Sequence, residues 1–200
     1  KGGGNIALFF MTIQKDGTDK KGNYDMLAKY VQDRNLRTVI DIGAWWGPWT
    51  LYWQKHAKKV QIFEPNIKIL KMLEHNVRNF ANCTVHRHAL GSLEGKVSMS
   101  YLSHSGTNHV TDYKGDIVIK TLDSFNFSNV DIIKIDVEGY ELEVLKGAER
   151  TIKTNRPFIQ IEGNSSIKRY GKQKKDILDL LQNWGLKRLE KKWPDQVWSF

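Results

Sequence analysis

Thr38-Val-Ile-Asp-Ile-Gly-Ala-Trp-Trp-Gly-Pro48, followed by Lys59-Val-Gln-Ile-Phe-Glu-Pro65, decides the fold. The run 38–42 is short, apolar and β-branched, which reads as a buried strand. Gly43 and Gly47 then turn the chain, and Pro48 suits the first turn of a helix spanning 47–58. A second strand follows over 59–63. Strand, helix and strand in so few residues predict parallel pairing through a right-handed crossover.

Outward from this unit the alternation continues. Tyr24, Leu27 and Val31 stand at helical spacing ahead of the first strand, and Ile67, Leu70, Val77 and Phe80 mark a helix after the second. Strands are expected over 83–88, 96–102, 116–122, 131–135 and 157–161. Leu142, Leu145, Ala148 and Ile152 predict one helix, and Ile177, Leu178, Leu181 and Trp184 predict another. Residues 186–189 and 196–200 face each other across Trp193-Pro194-Asp195 as a closing antiparallel hairpin. The expectation is an α/β three-layer sandwich with a doubly wound, mainly parallel sheet. Residues 1–22, Gly-rich at the start and without an initial Met, read as an extension or expression remnant, with Met11 a candidate initiator. Residues 23–200 read as a single domain.

Composition bounds the function. The chain has 200 residues, 40% hydrophobic and 26% charged, which fits a globular protein and excludes low-complexity or mainly disordered classes. No apolar run reaches membrane-spanning length. Cys83 is the single cysteine, so an internal disulfide and cysteine metal clusters are excluded, and a reducing, cytoplasmic setting is expected. The net charge of +9 is concentrated: residues 168–192 hold nine Lys and Arg against three acids. Such a patch attracts nucleic acid or acidic small molecules. Stacking aromatics do not interleave with it in an RNA-binding pattern, so a nucleic-acid partner is not favoured.

In open α/β sheets the ligand lies at the carboxyl ends of the strands, where strand order reverses. Gly43 and Gly47 follow the first strand. Glu64 follows the second, 21 residues beyond Gly43, where a carboxylate accepts hydrogen bonds from a ribose diol. From Gly43 the chain reads Gly-Ala-Trp-Trp-Gly-Pro, which lacks the second glycine of the dinucleotide fingerprint and puts Trp45 in its place. S-adenosylmethionine is therefore favoured over a nicotinamide dinucleotide. Asp41 suits its ammonium-bearing methionine end, acting through water or backbone positioning; Ala44 continues the turn, and Ala89 in His88-Ala-Leu-Gly91 leaves room for adenine.

After 131–135 comes Lys134-Ile-Asp-Val-Glu-Gly139. Period two puts Lys134, Asp136 and Glu138 on one side if the strand stays extended. Asp136 is the candidate to position the methyl donor or the acceptor hydroxyl; Lys134 is open between salt bridge and function. Glu138, Glu162, His104 and His109 are further acid–base candidates. A divalent metal on Asp136, Glu162 and a histidine is weakly signalled. The asparagine/aspartate-Pro-Pro loop of amino methylation is absent, and Cys83 sits too early for a cytosine-type nucleophile.

Lys134-Ile-Asp-Val-Glu-Gly-Tyr-Glu-Leu-Glu-Val-Leu-Lys-Gly-Ala148, with Thr121-Leu-Asp123, Val39-Ile-Asp-Ile-Gly-Ala44 and Phe63-Glu-Pro65, resembles the FkbM-type methyltransferases over roughly residues 36–165. The resemblance implies a Rossmann-like methyltransferase fold with a seven-stranded sheet and S-adenosylmethionine as donor, leaving S-adenosylhomocysteine. It also implies O-methylation of a hydroxyl on a sugar or similar small metabolite or glycan. Trp45-Trp46 departs from the family pattern of Asn and a small or apolar residue. An RNA-directed methyltransferase using the basic C-terminal third, or a catalytically silent cofactor-fold binding module, are the alternatives.

Overall fold

The computed structural model describes residues 25–32, 34–100, 108–111 and 114–200. The N-terminal extension, Tyr24 and His104 lie outside the described residues. Helix α1 is Asp25–Val31, and strand β1, Leu36–Ile42, pairs in parallel with β2, Ala57–Phe63. Between them α2, Pro48–Trp53, is shorter than the sequence suggests. The ladder claims residues back to Ala57, opposite Leu36, leaving the helix under two turns.

Helix α3 is Ile67–Val77, started by Asn66, whose side chain accepts the Lys68 N–H. Strand β3, Cys83–His86, stops short of residue 88. The chain then leaves for a small second sheet that periodicity did not reveal. In it β4, Ala89–Leu90, and β5, Gly95–Val97, flank β6, Ile117–Lys120. The expected strands at 96–102 and 116–122 are thus shorter and outside the main sheet, and Leu122 begins a 3-10 turn, Leu122–Phe125.

Strand β7 is Val130–Ile135. The single helix expected over 142–152 is two: α4, Glu141–Lys146, and α5, Glu149–Asn155. They part at Gly147, where a Cβ would sit 1.9 Å from the Gly91 carbonyl oxygen. Asp123 caps α5 by accepting the Arg150 and Thr151 N–H groups at 2.9 and 2.7 Å, which gives that residue of Thr121-Leu-Asp123 a structural task. Strand β8, Phe158–Glu162, a 3-10 turn, Ser165–Tyr170, helix α6, Lys174–Asn183, and the hairpin β9, Lys187–Lys192, with β10, Asp195–Ser199, complete the chain.

The main sheet has seven strands in the order β3-β2-β1-β7-β8-β10-β9. All pairs from β3 to β8 are parallel, and β10 runs antiparallel to β8 and β9. One face carries Val39, Val60, Ile62, Ile132 and Val197 beneath α1, α2 and α3. The opposite face carries Ile40, Ile42, Ile133, Ile135 and Trp198 beneath α4, α5 and α6. Strand order reverses between β1 and β7, so the loops after those strands splay apart and open a crevice.

Candidate active site

Four parallel strands end at the crevice, and each delivers a residue. Gly43 follows β1 with φ +76, and a Cβ there would lie 1.8 Å from the Asp136 carbonyl oxygen. Only glycine meets both demands. Its N–H donates to the Phe63 carbonyl at 3.0 Å, which binds the turn to the end of β2. Glu64, next along, accepts the Trp45 N–H and the Asn66 N–H, each at 2.8 Å, and is 6% exposed. Burial pushes its carboxyl up to about 7, against the pull of those two N–H groups.

These residues, with Trp45, His88, Ala89, His109, Asp136, Glu138 and Glu162, line a cavity of about 280 Å³. That is near the lower end of the ~300–1,000 Å³ usual for small-molecule sites, enough for one ligand with a second meeting it at the mouth. The donors fit an adenosyl group. Glu64 faces the cavity as a carboxylate acceptor, Gly43 opens the backbone, and Ala89 leaves space. His88 Nδ1 is buried without a partner. Burial and Lys120 lower the His88 pKa, so its ring is neutral and has a nitrogen to offer as an acceptor.

Three expected cofactor residues stand elsewhere. Asp41 is fully buried, accepting the hydroxyl of Thr50 from α2 at 2.6 Å and pairing with Lys134 at 3.4 Å. It does not line the cavity, and it is linked to the turn after β1 through Lys134, which donates to the Gly43 carbonyl at 3.4 Å. Ala44 packs in the core with Val60, Ile62 and Leu73. Gly47 serves the helix start: its φ is 93 and a Cβ would meet Leu73 at 2.9 Å. Neither Ala44 nor Gly47 lines the cavity. Trp45 does line it, while Trp46 is buried and its carbonyl accepts the Asn76 side chain at 2.8 Å.

The carboxylates converge by a route that periodicity did not foresee. Strand β7 ends at Ile135, and Glu138 has φ +56, so the chain turns instead of staying extended. One carboxylate oxygen from each of Asp136, Glu138 and Glu162 lies within 4.8 Å of the others. Burial and the Asp136 charge push Glu138 up to about 7, offset by Arg169. Burial and the surrounding Asp136, Glu138 and Glu141 push Glu162 up to about 9, although it accepts the Asn164 amide at 2.6 Å. The trio would offer a cation three carboxylate oxygens. Among the described residues no histidine joins the trio; His109 lines the cavity with Nδ1 at 2.9 Å from the Ser100 hydroxyl.

Glu141 was not foreseen. It is 2% exposed and accepts the Val137 and Gly139 N–H groups at 3.2 and 2.9 Å, so its carboxylate holds the turn that presents Asp136 and Glu138. Gly139, with φ +105, brings that turn against Ser166, whose backbone a Cβ would meet at 2.5 Å. The available signal was an acid opening a helix directly after a glycine turn. Cys83 stands at the start of β3, and burial pushes its thiol up to about 11, which leaves it a poor nucleophile.

The family model described as the methyltransferase FkbM domain matches residues 41–187. The chain belongs to the FkbM methyltransferase family. Among curated relatives, the hexuronic acid methyltransferase AglP of Haloferax volcanii is 28% identical over 173 residues, covering 82% of this chain and 69% of that protein. The FkbM methyltransferase of Methylobacillus flagellatus superposes with a TM-score of 0.60 at 20% identity, over 88% of this chain. This chain spans about half of that longer one, 48%. A Streptococcus mutans protein crystallised with S-adenosylhomocysteine has the same fold, with a TM-score of 0.50 at 12% identity over 81% of this chain and 86% of its own. Within the family frame, the long motif after β7 is the strand end, the carboxylate turn and helix α4. Among the described residues, no helix is long and apolar enough to cross a membrane.

Proposed function

We propose that this FkbM-family chain transfers a methyl group from S-adenosylmethionine to a hydroxyl of an acidic sugar. The observation that carries the reading is the convergence of Asp136, Glu138 and Glu162 on the cavity that Glu64 and Gly43 also line. When bound, the donor supplies a methyl group already activated on a positively charged sulfonium. The protein then has to align an oxygen with it and remove a proton. Glu64 receives the ribose hydroxyls, and the Gly43 turn admits the rest of the donor against the backbone. Glu138, titrating near 7, takes the proton from the acceptor hydroxyl. Glu162 keeps its own proton and donates a hydrogen bond, and Asp136 orients the pair. The acidic-sugar class follows the hexuronic acid named for the curated relative and the basic stretch 168–192. A reducing, cytoplasmic setting suits the unpaired Cys83.

The test is calorimetry with S-adenosylhomocysteine, followed by labelled methyl transfer from S-adenosylmethionine to glucuronic acid, galacturonic acid, their methyl esters and glucose. Binding with transfer to the free acids supports the reading. Binding with no transfer to any sugar leaves the silent binding module. The basic stretch also favours a second reading, an RNA-directed enzyme. Transfer to RNA, falling steeply with salt, would replace the first.

A further inference from the structure

The hairpin β9–β10 closes the sheet edge, and its tip lies at the same end as the cavity. Asp195, the first residue of β10, pairs with Glu162, the last residue of β8. The Gly163 N–H donates to the Pro194 carbonyl at 2.9 Å, so the tip is fastened to the strand end that carries Glu162. Trp193 stands on this tip, at most about 7 Å of chain from Asp195. The residue is 63% exposed, and among the described residues it is the one Phe, Tyr or Trp with its bulk in water. The Lys174 ammonium lies 3.8 Å from the ring centroid. Among the described residues Lys174 has no carboxylate partner.

An exposed indole beside a cation combines two recognition chemistries. The ring face accepts the C–H face of a sugar, and the ammonium accepts a carboxylate. The cavity has room for the donor with the acceptor at its mouth, so a longer acceptor must leave along the rim. We infer that Trp193 and Lys174 form an acceptor subsite for the sugar adjoining the methylated one, which makes the substrate an anionic glycan of two or more units. This rests on the acidic-sugar reading above. A lone Trp favours a sugar over single-stranded RNA, which is held by successive stacking aromatics.

The experiment uses the full chain with S-adenosylmethionine, and galacturonic acid and trigalacturonate as acceptors. Trp193→Ala is expected to raise KM for trigalacturonate about tenfold, with kcat and the monosaccharide KM unchanged. Trp193→Phe should recover most of the loss. Lys174→Gln should raise KM for trigalacturonate but not for its methyl ester. Equal effects on the two acceptors, or none, overturn the subsite. Loss of oligouridylate binding in Trp193→Ala with trigalacturonate kinetics intact assigns the platform to RNA and overturns it as well. Wild-type protein that binds S-adenosylhomocysteine yet methylates neither acid overturns the acidic-sugar reading itself, and the subsite with it. Matching melting temperatures of the variants exclude misfolding.

Discussion

The Lys134 ammonium lies 3.4 Å from the Asp136 carboxylate, one residue past the end of β7. The same ammonium lies 3.4 Å from Asp41, and the two acids differ in surroundings: the Asp41 side chain is 0% exposed and that of Asp136 is 40%. Lys134 is therefore held by one acid in the interior and by a second acid that lines the cavity.

Asp136→Asn is expected to lower methyl transfer by about 10²-fold, the scale of a lost charge at a reacting centre, with little loss of stability. Asp41→Asn is expected to do the reverse, destabilising by about 3 kcal/mol because it removes the buried partner of a buried ammonium. Denaturant melts and single-turnover rates on each variant check both. A strongly destabilised but fully active Asp136→Asn would return that residue to a structural role.

Glu64→Gln should weaken S-adenosylhomocysteine binding by about 1.5–3 kcal/mol, since hydrogen bonds to a charged acceptor are lost. In the wild type the affinity should also depend on pH. The free carboxyl titrates at about 7, and donor hydroxyls favour its ionised form. Binding is thus full above pH 7 and weakens as pH falls below it. Calorimetry from pH 5.5 to 8.5 should show this slope in the wild type and a flat line in Glu64→Gln.

Stability without ligand should fall as pH rises from 6.5 to 9. Glu64, Glu138 and Glu141 are pushed up to about 7 and Glu162 to about 9. A carboxyl raised above its unfolded value favours the protonated fold, so its contribution is complete below about pH 4 and lost through the folded pKa. His86, lowered by burial to about 4, acts oppositely but only below about 6.5, where the unfolded ring titrates. Melting temperature against pH tests the sign, and Glu162→Gln should flatten the segment between pH 8 and 9. A wild-type melting temperature that rises over this range would refute the account.

Glu141→Ala should cost about 2 kcal/mol or more, because two N–H groups of the turn lose their acceptor. Turnover should fall with it, since Asp136 and Glu138 are carried by that turn. Glu141→Gln keeps one acceptor oxygen and should restore part of both. A stable Glu141→Ala variant with wild-type rate would show that Ser166, packed against Gly139, suffices to hold the turn.

The parallel strands were legible because they are β-branched runs whose burial needs no long-range information, and the positions of Gly43 and Glu64 at strand ends because their spacing is set by one crossover. Gly147 was not: a glycine inside an apolar helical period reads as tolerated until the Gly91 carbonyl is seen against it. The pairing of Asp41 with Lys134 was not legible, because sequence gives the position of Asp41 on β1 but not the register that sets Lys134 beside it. Asp136, Glu138 and Glu162 each read as an acid–base candidate, but the condition that would put Asp136 and Glu138 on one side, a strand extended that far, is not met. A left-handed Glu138 gathers the groups, and a single sequence carries little signal for that in a non-glycine residue.

The reversal of strand order between β1 and β7 divides the site along the chain as well as in space. Gly43, Glu64 and Ala89 all precede residue 90, while Asp136, Glu138, Glu162 and the Trp193 tip all follow residue 130. Under the proposed assignment, donor recognition and acceptor chemistry are inherited as two contiguous blocks. A lineage can then change what it methylates by substitution in the second block alone, keeping intact the pocket for the molecule that every such reaction consumes.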